Sequence, residues 1–124
     1  MPRIQPDAFV AACPSRELLA RLGEKWAMLA LVALDEGPMR FGALRRRLEG
    51  VSQKMLTQTL RNLERDGLVV RKVLAQRPIA VTYTLTCQAR ELAPIVRSLK
   101  AWAERHLRVV ARTNVRFDDA QGAL

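Results

Sequence analysis

The stretch Val51-Ser52-Gln53-Lys54-Met55-Leu56-Thr57-Gln58-Thr59-Leu60-Arg61-Asn62-Leu63-Glu64-Arg65-Asp66-Gly67-Leu68 decides how this chain is read. Leu56, Leu60 and Leu63 recur at i, i+4 and i+7, the spacing of a buried helical stripe. Ser52 stands where an N-cap belongs, with a hydroxyl that can accept a bond from a first-turn N–H. Gly67 stands where a left-handed C-cap belongs. The spacing therefore predicts a helix from Ser52 to Asp66. Opposite the leucines lie Gln53, Lys54, Thr57, Gln58 and Arg61, with no carboxylate among them. Arg or Lys pairs with guanine, Gln with adenine, and Thr with a thymine methyl, so this face suits the base edges of a DNA major groove. An ordinary amphipathic helix with a solvated face carries the same pattern, and the flanking segments have to decide.

Immediately upstream, Phe41, Leu44 and Leu48 fall at i, i+3 and i+7, predicting a short helix from which Arg45, Arg46 and Arg47 project. Gly50-Val51 leaves only a tight turn before Ser52, so the two helices form a helix-turn-helix candidate. Immediately downstream the period changes. Leu68 to Leu74 and Ile79 to Leu85 are rich in β-branched residues and read as two strands. Ala75-Gln76-Arg77-Pro78 joins them, with Pro78 at a strand start where its missing donor is tolerated. A basic hairpin after a helix-turn-helix is a wing.

Charge follows the same geography. The 124 residues carry a formal net charge of +9. Met1 to Met39 contributes −1, Arg40 to Arg77 contributes +7 and Pro78 to Leu124 contributes +3. A basic surface concentrated around the central helix favours a polyanion partner. Arg61, Gln58, Thr57, Lys54 and Gln53 are the base-edge candidates. Arg40, Arg45, Arg46 and Ser52 are phosphate candidates, which set register without reading sequence. Arg71, Lys72 and Arg77 belong to the wing, with Arg77 at its tip.

Farther out, Ser15 is the expected N-cap of a first helix that Gly23 ends. Lys25 to Glu36 is a second helix, apolar on nearly every side and closed by the breaker pair Gly37-Pro38. Thr86 caps a last helix expected to run to about Val110, with Leu92, Ile95, Val96, Leu99, Trp102, Ala103 and Leu107 as its apolar stripe. Pro94 is expected to kink it. So much apolar surface exceeds what one small domain covers, which points to a dimer. Residues 1–12 read as an N-terminal arm, 13–112 as the domain with its dimerisation helix, and 113–124 as a flexible tail.

Other chemistries find little support. The single histidine, His106, has no metal-ligand partner at useful spacing. There is no Ser-His-Asp order, acid pair or phosphate loop, so no enzyme, metal or cofactor is expected. The two cysteines match neither zinc nor CxxC spacing. The longest apolar run, Trp26 to Leu34, is too short for a membrane span, and no basic-then-apolar leader precedes the domain. The expected location is the cytoplasm, with no membrane partner.

Several strings together carry a resemblance. Cys13-Pro14, Leu22-Gly23-Glu24-Lys25-Trp26, Gly37-Pro38-Met39-Arg40-Phe41-Gly42-Ala43-Leu44-Arg45, Val51-Ser52, Leu56 to Val69 and Val81-Thr82-Tyr83-Thr84-Leu85-Thr86 resemble the HxlR-type branch of the MarR-like winged-helix regulators. The resemblance covers about Cys13 to Leu107. It implies a homodimeric transcription regulator whose first and last helices pair the subunits, placing Leu18, Leu92, Ile95, Leu99, Trp102 and Leu107 in the interface. It also implies a reading helix over Ser52 to Asp66 and a hairpin at the flanking backbone or minor groove. Some members respond to electrophiles or oxidants through a cysteine placed as Cys13 is here. Residue chemistry alone favours Cys13 as a small buried apolar residue; the alternative is a sensor thiol whose pKa the helix dipole and Arg16 lower. The resemblance brings the two level. Ala89 departs from the glycine common in the family, and Cys87 lies outside its usual pattern.

The expectation is a mainly α, α+β winged helix-turn-helix that binds double-stranded DNA at a pseudo-palindromic operator as a homodimer, with redox response through Cys13. The competing reading is a winged-helix interaction module for a protein, RNA or anionic surface without operator specificity. Any small-molecule effector is unknown from sequence.

Overall fold

A computed structural model describes residues 5–76 and 78–122. Its elements run α1 (Pro14–Leu22), α2 (Lys25–Asp35), β1 (Met39–Arg40), α3 (Phe41–Arg47), α4 (Gln53–Arg65), β2 (Val69–Gln76), β3 (Ile79–Leu85) and α5 (Cys87–Gly122). Leucines from three helices meet at the centre: Leu31 of α2, Leu44 of α3, and Leu56 and Leu60 of α4 are fully buried. Ala89, Ala93 and Val96 of α5 close this core from the far side, and Val69 and Leu85 close it from the sheet.

Helix α4 begins and ends as its sequence dictates. The Ser52 hydroxyl accepts from the Met55 N–H at 3.0 Å. At the other end Gly67 takes φ +76°, which an L side chain resists. The Gly67 and Leu68 N–H groups then donate to the Glu64 and Leu63 carbonyls at 3.0 and 2.8 Å, a Schellman closure. Gly50, at φ +93°, turns the chain between α3 and α4.

The wing is a three-stranded antiparallel sheet in the order β1-β3-β2, one strand more than the hairpin expected. Met39 pairs with Tyr83 and Arg40 with Thr82, so the residues after the Gly37-Pro38 break add an edge strand. Two residues are too few to show alternation, and only the tertiary pairing creates the strand. The hairpin register shifts between Val73 and Ala75, leaving Leu74 as the extra residue of a bulge.

Helix starts and ends differ from expectation in two places. Cys13, not Ser15, is the N-cap of α1, because Pro14 occupies the first turn where its missing N–H costs nothing. The expected tail is helix through Gly122. No glycine or proline interrupts residues 95–121, and the Thr113 hydroxyl bonds back to the Val109 carbonyl. The helix also continues through Pro94, which is exposed.

Thr86 is the joint between the C-terminal end of α4 and α5. Its hydroxyl donates to the Gly67 carbonyl at 2.8 Å and accepts from the Ala89 N–H at 3.3 Å. Its own N–H donates to the Leu68 carbonyl at 3.1 Å.

Candidate nucleic-acid interface

Packing of Leu56, Leu60 and Leu63 inward turns the opposite face of α4 to solvent. Gln53, Lys54, Gln58 and Arg61 are exposed and Thr57 is half-buried. The structure therefore brings together the residues singled out on this helix. Gln58 donates through its amide nitrogen to the Asn62 side chain at 3.0 Å, which holds it along the helix and leaves its carbonyl oxygen free. Ser52 is engaged as the cap, with its hydroxyl proton still available to a phosphate oxygen.

The three consecutive arginines of α3 are not equivalent. Arg47 turns back to Glu36, with Nη2 at 2.6 Å and Nε at 3.4 Å from its carboxylate oxygens. That pair raises the arginine's pKa and holds the Glu36 carboxyl below its ordinary value, in each case chiefly through the hydrogen bond. Arg45 and Arg46 are exposed and make no ion pair among the described residues. With Gly42, Glu49, Gly50 and Val51 they line a shallow depression directly before the start of α4. The first-turn N–H groups of a helix and its dipole favour an anion at such a place.

Strand alternation separates the wing's basic residues. Arg71, Tyr83 and Met39 share one cross-strand row, while Lys72, Thr82 and Arg40 share the next and point to the other face. Arg71 and Tyr83 thus join Thr57, Leu60, Arg61 and Glu64 around a cleft of about 260 Å³ between α4 and the sheet. Lys72 and Arg40 are exposed on the outer face. Arg77 lies outside the described residues. Sequence reasoning missed Tyr83, which only the strand pairing brings to this face of α4, and Glu64, which lies on α4 itself at i+3 from Arg61.

Cys13 is buried and sits in a small hydrogen-bonded nest. Its sulfur lies 3.0 Å from the Ser15 hydroxyl and accepts from the Asp7 N–H at 3.3 Å. These contacts, Ser15's first, lower the thiol's pKa from its ordinary value. Arg16 plays another part than expected: its guanidinium donates to the Ala8 and Phe9 carbonyls, both at 2.9 Å, folding the arm against α1. Cys87 is exposed.

On α5 the expected apolar stripe divides. Val96 is buried and Leu92 half-buried against the chain's own core. Ile95, Leu99, Trp102 and Leu107 are at least half exposed, as are Val115 and Phe117 farther on. Leu18 of α1 is also exposed. Trp102 stacks on His106 with ring centroids 4.4 Å apart. Among the described residues no helix is long and apolar enough to cross a membrane.

Comparison with known proteins agrees with this geometry. Residues 21–111 match the HxlR-like helix-turn-helix family model. The HTH-type transcriptional regulator YtfH of Escherichia coli strain K12 is 43% identical over 101 residues, covering 82% of this chain and 80% of that protein. The solved structure of the transcriptional regulator ytfH from Salmonella typhimurium superposes with a TM-score of 0.83 at 39% identity, covering 89% of this chain and 98% of the other. The redox regulator HypR in its reduced form superposes with a TM-score of 0.72 at 38% identity, covering 80% and 98%.

Proposed function

The chain belongs to the HxlR-like helix-turn-helix family, and from that premise we propose how it acts as a DNA-binding regulator of transcription: as a homodimer that reads a pseudo-palindromic operator with two copies of α4. The observation that carries this reading is the exposed face of Gln53, Lys54, Thr57, Gln58 and Arg61, bordered by a single carboxylate, Glu64, and flanked by Arg45 and Arg46, which make no ion pair among the described residues, on one side and Arg71 on the other. Arg61 and Gln58 read base edges. Lys54, Gln53 and Thr57 contact bases or adjacent phosphates. Arg45, Arg46 and Ser52 hold phosphates at the start of α4. Arg71 approaches from the wing, and Lys72, Arg40 and Arg77 meet the flanking backbone.

The exposed apolar residues Ile95, Leu99, Trp102 and Leu107, together with Leu18, form the dimer seam. Two reading helices then enter successive major grooves about 34–36 Å apart. Cys13 is the regulatory thiol: its hydrogen-bonded sulfur favours the thiolate, the form that reacts with oxidants and electrophiles.

Footprinting of the full chain on genomic fragments at physiological salt tests the DNA reading. A protected pseudo-palindrome is the expected result; equal affinity for random duplex would instead favour an interaction module. Diamide treatment tests the thiol. It should change operator affinity of the native chain and leave Cys13→Ser unaffected, and an equal response in both would remove Cys13 from the mechanism.

A further inference from the structure

Tyr83 stands in the middle strand of the sheet, opposite Arg71 on β2 and Met39 on β1. It lies two residues before the buried Leu85 and so on the same face of β3, the face turned to the core. The residue is half-buried and packs against the hydrophobic core. A tyrosine so placed has an apolar body to bury and a polar tip to satisfy. The tip finds no hydrogen-bond partner among the described residues. No side-chain oxygen among them is both unpartnered and sealed from water. The hydroxyl is therefore the end that meets solvent, where the residue lines the cleft of about 260 Å³ between α4 and the sheet.

The other polar residues of this cleft are unpartnered in the same way. Thr57, Arg61 and Glu64 from α4 and Arg71 from the wing form no ion pair among the described residues. Two guanidinium groups and two hydroxyls line the cleft with a single carboxylate, so donors predominate. That inventory suits an acceptor-rich anion. Glu64 belongs to the α4 wall, and its charge displaces such an anion toward the wing. There Arg71 and Tyr83 are a directly opposed cross-strand pair, with Cβ atoms about 4.5–5.5 Å apart. A guanidinium and a phenolic hydroxyl at that separation can both reach the non-bridging oxygens of one phosphate.

We propose that Tyr83 is a positioning residue for DNA binding, its hydroxyl donating to a duplex backbone phosphate that Arg71 holds from the same row. The core fixes the ring, so the donor is placed before DNA arrives and little side-chain freedom is lost on binding. The same core seats α4, so the phosphate held here sets the depth at which α4 enters the groove. This role rests on the DNA reading above and adds a neutral contact to it. An arginine on a phosphate releases counterions and contributes to the salt slope, whereas a phenol on the same phosphate does not.

Fluorescence anisotropy of the full chain on the protected operator and on random duplex, between about 50 and 200 mM salt, compares native protein, Tyr83→Phe and Arg71→Gln. Tyr83→Phe keeps the ring and should leave the thermal midpoint unchanged. It should weaken binding about tenfold, because the proposed dimer loses two neutral hydrogen bonds, each worth about threefold or more. The loss should be equal on both duplexes, with the slope altered by less than about 0.3, whereas Arg71→Gln should flatten it by about 1.8. Affinity within about twofold of native overturns the role. So does a loss confined to the operator, which would make the hydroxyl a base reader, or a flattening as large as that of Arg71→Gln. A second measurement replaces operator phosphates one at a time by uncharged methylphosphonate, and it compares duplexes on the same protein even if Tyr83→Phe lowers the thermal midpoint. One position per half-site should cost the native chain affinity and cost each variant about threefold less. Absence of a position shared by the two variants overturns the pairing of Tyr83 with Arg71. If the native chain binds no duplex, the DNA reading falls and this role with it; if it binds and Tyr83→Phe matches it, this role alone falls.

Discussion

Replacing Arg45, Arg46 and Arg47 by glutamine one at a time distinguishes three residues that look identical in the sequence. On duplex DNA each phosphate contact contributes about 0.9 to the slope of log affinity against log salt. The proposed homodimer loses two contacts per substitution. Arg45→Gln and Arg46→Gln should therefore each flatten the slope by about 1.8. Between 50 and 200 mM salt that difference amounts to about a tenfold change in the ratio of native to variant affinity. Arg47 is committed to Glu36 at 2.6 Å, so Arg47→Gln should change the slope by less than about 0.5 on the same scale. Fluorescence anisotropy on the protected operator at four salt concentrations measures all three. If Arg47→Gln flattened the slope as much as Arg45→Gln, the division of this triplet into a brace and two phosphate holders would be wrong.

Arg61→Ala should cost about 1–3 kcal/mol on the operator and relax discrimination at one base pair; equal losses on operator and random DNA would move Arg61 to the phosphate class. Ser52→Ala should lower stability by about 1 kcal/mol through loss of the cap on Met55, read as a fall in urea midpoint at constant slope, and an unchanged midpoint would show that the cap contributes nothing net. In a Cys87→Ser background, alkylation of Cys13 should rise with pH around a midpoint below the ordinary thiol value, because the Ser15 hydroxyl and the Asp7 N–H stabilise the thiolate. Ser15→Ala removes the larger of these contributions and should move the midpoint upward; a downward or absent shift would contradict that assignment.

The parts of the fold that local chemistry determines were legible in the sequence. Ser52 and Gly67 bracket α4 because a cap hydroxyl and a left-handed glycine act within one turn of themselves. The first helix starts two residues before the point that Ser15 implies, because Pro14 in the first turn is a stronger cue than a serine hydroxyl. Helix α5 runs past the expected end near Val110 to Gly122, because a fall in apolar content is not a stop signal and residues 113–121 contain no breaker. The rest depends on residues far apart in the chain. Arg47 meets Glu36 across eleven positions, Arg21 meets Asp66 across forty-five, and Tyr83 reaches the reading face only through the register of β3. Periodicity gives no account of such pairs, so it could name the basic residues of the site without saying which of them are free.

Thr86 carries a consequence for how operators are chosen. Its three hydrogen bonds couple the end of α4 to the start of α5 with no slack segment between them. Helix α5 spans 36 residues, about 54 Å. In the proposed dimer it is a lever: Trp102 in the seam lies about 22 Å along the axis from Cys87, so a tilt of about 10° between partners displaces the end joined to α4 by about 4 Å, more than one base-pair step of about 3.4 Å. Substitutions along Ile95, Leu99 and Trp102 that alter the crossing of the two levers would thereby re-gauge the half-site spacing, and drift at a surface remote from the nucleic acid becomes a route to new operators.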